Sequence, residues 1–84
     1  MATTVTDLTV REIARAAQGV LGRAVEISED TDIVRDLAVD SLALMNIVME
    51  LEDVFDVSIP LDRLATVETV GDLAALVNEL RVKA

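Results

Sequence analysis

The sequence predicts an all-α fold: a small four-helix bundle, three main helices plus one short helix, with a long loop between helices 1 and 2. Two observations carry that prediction. Apolar residues recur every three or four positions in three separate stretches, which is the repeat of a helix with one buried face. No stretch makes a convincing strand, and the connections are short except one.

The 84 residues are expected to form a single domain, 1–84. A domain this small buries only about 60–65% of the surface its unfolded chain exposes, so the core is modest. Phe55 is the one aromatic residue, and the core must be built from Leu, Val, Ile, Ala and Met.

Residues 8–21 read as the first helix, with Val10, Ile13, Ala14, Ala17, Val20 and Leu21 on one stripe. Arg11, Glu12, Arg15 and Gln18 fall mostly opposite. Thr6 or Asp7 suits the cap, Gly19 weakens the helix and Gly22 ends it. Residues 22–40 form a connection of unusual length for a compact domain, a length often kept for function. Its Ile27, Ile33, Val34 and Leu37 are expected to pin it to the helices.

Residues 41–55 carry the strongest helical signal. Leu42, Met45, Val48, Met49, Leu51 and Phe55 supply a broad apolar face, widened by Leu44 and Ile47. Either Asp40 or Ser41 suits the N-cap, because a short oxygen side chain accepts the unpaired N–H groups of a first turn. Pro60 halts the stretch 56–59, and a short helix fits Leu61–Ala65. Thr69-Val70-Gly71-Asp72 matches a capping box that opens a last helix to about Leu80. Val70, Leu73, Ala74, Val77 and Leu80 form its inner stripe, and Arg81 and Lys83 suit the negative end of the helix dipole. Leu37, Leu51, Phe55, Ile59 and Val70 are assigned to the core.

Composition removes several function classes. Without cysteine there is no disulfide, thiolate metal site or cysteine nucleophile, and without histidine the commonest general base is missing. No apolar run approaches the roughly 18 residues of a membrane span. The N-terminus lacks the basic and apolar regions of a signal peptide, so the expected compartment is the cytoplasm. The net charge of −9 repels phosphate backbones and anionic membranes, so neither nucleic acid nor membrane is an expected partner, and a monomer is the default. From Asp36 to Asp62, both included, the sequence holds seven acids and neither Lys nor Arg. That acidic middle suits basic partner proteins, or a solvated surface that keeps a small protein in solution.

Asp30-Thr31-Asp32-Ile33-Val34-Arg35-Asp36 has alternating acids, but Arg35 and Ser41 occupy the positions where a calcium loop needs Gly and Glu, so the run reads as a solvated loop. A serine nucleophile needs a base, and Ser41 has neither His nor a buried Lys to serve it. Ser41 is therefore either a helix cap worth about 1 kcal/mol, or a hydroxyl displayed at a helix N-terminus for another enzyme to derivatise, a place that favours phosphate.

Asp40-Ser41-Leu42, preceded by Leu37 and followed by Val48-Met49-Glu50-Leu51-Glu52-Asp53-Val54-Phe55-Asp56-Val57-Ser58-Ile59-Pro60, resembles the acyl carrier protein family over nearly the whole chain. The resemblance implies that Ser41 receives 4′-phosphopantetheine from coenzyme A. A phosphopantetheinyl transferase, the holo-synthase, makes the transfer with magnesium. The arm ends in a thiol that holds an acyl or aminoacyl group as a thioester for acyl-loading and acyl-using enzymes. It also implies that Asp40 and Leu42 help the transferase recognise the site and that Leu44, Met45, Met49, Glu52 and Asp53 belong to the partner-docking face. Met49 also reads as core, and Glu52 and Asp53 as ordinary solvated charges.

Two departures from the family pattern stand out. Ala38 occupies a position usually held by Gly, and Ala enters positive φ less readily. Two and five residues after the serine, where fatty-acid-synthesis carriers often place acids, stand Ala43 and Asn46. The pattern points to a specialised carrier for a dedicated lipid, polyketide or aminoacyl pathway. The competing readings are an acidic helical adaptor that is never modified and an acidic inhibitor that mimics nucleic acid. Retention of the Asp40-Ser41-Leu42 hydroxyl speaks against the adaptor, and the lack of acids on the first helix face speaks against the mimic.

Overall fold

The computed structural model describes residues 5–83, which form five helices: α1 (Val5–Leu21), α2 (Ile33–Leu37), α3 (Ser41–Phe55), α4 (Leu61–Leu64) and α5 (Val70–Lys83). α1 packs against both α3 and α5. Between them lies one core of Ile13 and Ala17 from α1, Ile47, Val48 and Leu51 from α3, and Val70, Leu73, Ala74, Leu76 and Val77 from α5. Ile33, Leu37, Val39, Ile59 and Leu64 close it from the connections and short helices. Fully burying one such Leu or Ile contributes about 1.5–3 kcal/mol.

The helix boundaries follow local chemistry. α1 is already helical at Val5, so Asp7 stands inside its first turn instead of capping it, and the Thr6 side chain lies outside the described residues. α1 ends at Leu21, where Gly22 takes a left-handed φ of 70° and its amide bonds Gln18 O at 2.9 Å. The expected capping box forms at the start of α5. The Asp72 amide donates to Thr69 Oγ1, and Asp72 Oδ2 accepts from the amides of Thr69 and Glu68, each at 3.1 Å. Those two backbone donors, Thr69 first, hold the pKa of the Asp72 carboxyl below its ordinary value. At the other end of α5, Arg81 lies over the Phe55 ring, 4.9 Å from its centroid, while the Lys83 side chain lies outside the described residues.

The long connection differs from expectation by containing α2. Asp32 caps this short helix by accepting the Arg35 amide at 2.8 Å, and Asp36 returns the favour by accepting the Asp32 amide at 2.8 Å. Of the alternating acids, Asp32 and Asp36 are thus caps on a surface turn. Three backbone hydrogen bonds tie the connection to the front of α5: Ile33 N to Glu68 O, Val70 N to Thr31 O, and Gly71 N to Glu29 O, at 2.9–3.0 Å. Ile33 and Leu37 are buried as expected, whereas Val34 is 62% exposed.

The face of α3 also needs correcting. Ile47, Val48 and Leu51 are the buried residues, while Leu42 and Met49 of the expected apolar stripe face solvent. Ile47, expected only to widen the face, lies at its centre because α1 packs against that side. Phe55 is half-buried against the core. Thr9, a polar residue inside the α1 stripe, is fully buried and bonds Asn78 Oδ1 of α5 at 2.7 Å.

Candidate functional site

The hydroxyl of Ser41 stands where α2, a tight bend and α3 meet. α2 ends at Leu37, and Ala38 follows in the left-handed region at φ 52°, ψ 39°. Val39 turns back into the core and is 5% exposed. Asp40 then takes an extended conformation as N-cap of α3. Its Oδ1 accepts the Ala43 amide at 2.8 Å, and its carbonyl accepts the Leu44 amide at 3.0 Å.

The cap is therefore Asp40, which resolves the choice that two capping-type residues in succession left open. Ser41 becomes the first residue of α3. Its side chain is exposed, and none of the hydrogen bonds among the described residues uses its hydroxyl. A serine that capped the helix would have its oxygen committed to an amide in the first turn. This one does not, and it sits at the positive end of a fifteen-residue helix dipole.

The residues around it divide cleanly. Leu42 is 71% exposed beside the serine, and Met45 and Met49 continue along the same side of α3 at 36% and 59%. Asn46 and Asp53 are exposed, whereas Ala43 and Leu44 are half-buried and pack against the core. Glu52 is half-buried and committed: its Oε2 accepts the Ile59 amide at 2.8 Å, fixing the chain where it leaves α3 for α4. Of the residues expected on the docking face, Met45, Met49 and Asp53 are displayed together, Leu44 leans inward, and Glu52 serves the fold.

Two residues of the site carried no signal that marked them out. Val39 lies between Ala38 and Asp40, outside any helical repeat, yet it anchors the bend. Arg23, just past the end of α1, donates from Nη2 to the Leu37 carbonyl at 3.0 Å, fourteen residues away. No local pattern encodes that contact.

Comparison with known proteins places the chain in a family. A family model described as "Phosphopantetheine attachment site" matches residues 11–77. A probable acyl carrier protein of Caulobacter vibrioides is 70% identical over 81 residues, covering 96% of this chain and 94% of its own. An acyl carrier protein of Rhodococcus erythropolis is 32% identical over 75 residues, covering 88% and 82%. The solution structure of holo acyl carrier protein from Geobacter metallireducens superposes with a TM-score of 0.78 at 26% identity, covering 89% of this chain and 87% of that one. The chain belongs to the acyl carrier proteins: it carries phosphopantetheine and is a carrier, not a catalyst.

Proposed function

We propose that Ser41 is the residue that bears 4′-phosphopantetheine, within a single carrier unit formed by residues 1–84. The observation that carries this is the division of labour at the head of α3. Asp40 satisfies the first-turn amide, which leaves the exposed Ser41 hydroxyl uncommitted. The surroundings fit the group: the hydroxyl opens to solvent, and a helix N-terminus favours a phosphate ester.

In the transfer, Ser41 Oγ would form the bond to phosphorus and give up its proton, while the diphosphate bond of coenzyme A breaks and its adenosine 3′,5′-bisphosphate half leaves. The chain has no histidine to accept that proton, and the neighbouring Asp40 is engaged in capping α3, so in this reading the transferase supplies the base. When bound, the group supplies the thiol that this cysteine-free chain lacks. Asp40 keeps Ser41 at the helix start, and Leu42 offers the transferase an apolar contact beside it.

The partner-docking face in this reading is the displayed side of α3: Leu42, Met45, Met49 and Asp53, with Leu44 and Glu52 at its margins. Ala43 and Asn46 leave its first turns uncharged, so encounter there depends more on packing than on steering. That supports a specialised carrier of a lipid, polyketide or related pathway, working in the cytoplasm beside the coenzyme A it needs. No helix among the described residues is long and apolar enough to cross a membrane.

The test is intact mass after incubation with coenzyme A, magnesium and a broad-specificity transferase. The parent gains one phosphopantetheine unit and Ser41→Ala gains none. A gain in Ser41→Ala places the arm elsewhere. No gain in the parent with several transferases leaves the unmodified adaptor as the better account.

A further inference from the structure

We infer that Arg23 is a positioning residue for arm attachment, acting through the bend that presents Ser41; the inference rests on Ser41 being the attachment residue. The bend from Leu37 to Asp40 has three holds. Leu37 and Val39 are buried on either side of Ala38, and Asp40 is fixed at its far end by the Ala43 amide. Between them Ala38 is left-handed at φ 52°, a conformation that costs a residue with a β carbon and relaxes unless its neighbours hold it.

The third hold is Arg23. Carbonyls in the last turn of a helix have no partner within the helix, and an arginine side chain is well suited to supply one. Arg23 Nη2 donates to the Leu37 carbonyl, immediately before the strained residue, and fixes the plane of the Leu37–Ala38 peptide. The contact joins the end of α1 to the end of α2 across fourteen residues. Arg23 itself is exposed, so the guanidinium contributes the tie without being part of the core. From Asp36 to Asp62 the sequence holds no basic residue, so the cation that steadies this acidic bend is brought to it by the fold.

Transfer to Ser41 depends on where its hydroxyl sits once the transferase has bound. A displacement of about 1 Å at a reacting group costs up to roughly a hundredfold in rate. Loss of the tie therefore lowers the rate within the complex more than it weakens the encounter. Arg23→Met keeps the aliphatic stem and removes every donor; Arg23→Lys returns one.

The experiment measures transferase kinetics on the parent, Arg23→Met and Arg23→Lys, with hydrogen exchange at the Ala43 amide read on the apo proteins. The expected result for Arg23→Met is a kcat lowered about tenfold or more, a KM within about twofold of the parent, and faster exchange at Ala43. Arg23→Lys recovers most of the loss. An unchanged kcat, or a rise in KM alone, overturns the inference, the latter by making Arg23 a direct contact to the transferase or coenzyme A. If the parent accepts no arm, the Ser41 reading has failed instead. The exchange arm still decides the tie, since Ala43 protected equally in the parent and Arg23→Met removes it.

Discussion

Gly71 and Glu29 meet backbone to backbone. The Gly71 amide donates to the Glu29 carbonyl at 2.9 Å, and a β carbon on Gly71 would lie 2.9 Å from that same oxygen. The contact seats the long connection on the first turn of α5. Gly71→Ala brings a helix-propensity gain of up to about 1 kcal/mol against a clash with an atom that cannot swing aside, typically about 1–3 kcal/mol. The clash wins. Thermal unfolding of Gly71→Ala is expected several degrees below the parent, at about 4–8 °C per kcal/mol for a domain of this size. An equal or higher Tm would show that the connection yields at Glu29 without loss.

Ala38 is the opposite case, a residue with a β carbon where glycine fits. Its left-handed conformation costs roughly 1–2 kcal/mol, while glycine adds chain entropy to the unfolded state worth up to about 1 kcal/mol. Ala38→Gly is expected to stabilise the protein by about 0.5–1 kcal/mol, read from urea midpoints with an unchanged slope. A variant less stable than the parent would mean that the bend is not strained at this residue.

Much of this was legible in the sequence, for reasons that particular residues make plain. The limits of α3 follow from its apolar repeat, and the start of α5 from the Thr69 and Asp72 pair, because both are short-range signals. α2 was not legible: five residues span less than two turns and leave no period to read, and the Asp32 and Asp36 caps resemble any acidic loop. The buried side of α3 is legible only in part, with Val48 and Leu51 inside as expected but Leu42 and Met49 outside, because apolar residues cover most of its circumference. Tertiary packing, with α1 against α3, decides that Ile47 is inside and Met49 outside. Thr9 and Arg23 escaped because their partners, Asn78 and the Leu37 carbonyl, are distant in sequence. At the site, the motif around Ser41 was readable, but the division of work between Asp40 and Ser41 was not, since both residue types cap helices equally well.

The Asp72 carboxylate gives the fold a defined acid sensitivity. Its folded-state pKa lies below the ordinary value of 3.8, through the Thr69 and Glu68 amides that bond its ionised form. A depressed carboxyl contributes stability that is fully present above its unfolded pKa and lost as pH falls through the folded one. Asp72→Asn keeps an acceptor oxygen at the cap and removes the charge. The difference in Tm between parent and Asp72→Asn is therefore expected to be constant above about pH 5 and to shrink steadily below about pH 4. A difference that stays level down to pH 2 would assign the cap's value to shape alone.

Met49 tests whether the displayed side of α3 is a docking face that works by packing. It is 59% exposed, so its truncation leaves the core intact, and the stability of Met49→Ala is expected within about 0.5 kcal/mol of the parent. A buried apolar contact with a partner is worth about 1 kcal/mol or more, so kcat/KM for an acyl-loading enzyme falls roughly fivefold, chiefly through KM. Asp53 lies on the same exposed side, and Asp53→Asn separates the charge from the packing. If the uncharged first turns at Ala43 and Asn46 set the character of the face, KM for the parent changes little between low and physiological ionic strength, and Asp53→Asn matters less than Met49→Ala. A KM that climbs steeply with salt, together with a larger loss in Asp53→Asn, would instead describe a face that captures its partners by charge, and the specialised reading would give way to a conventional acidic one.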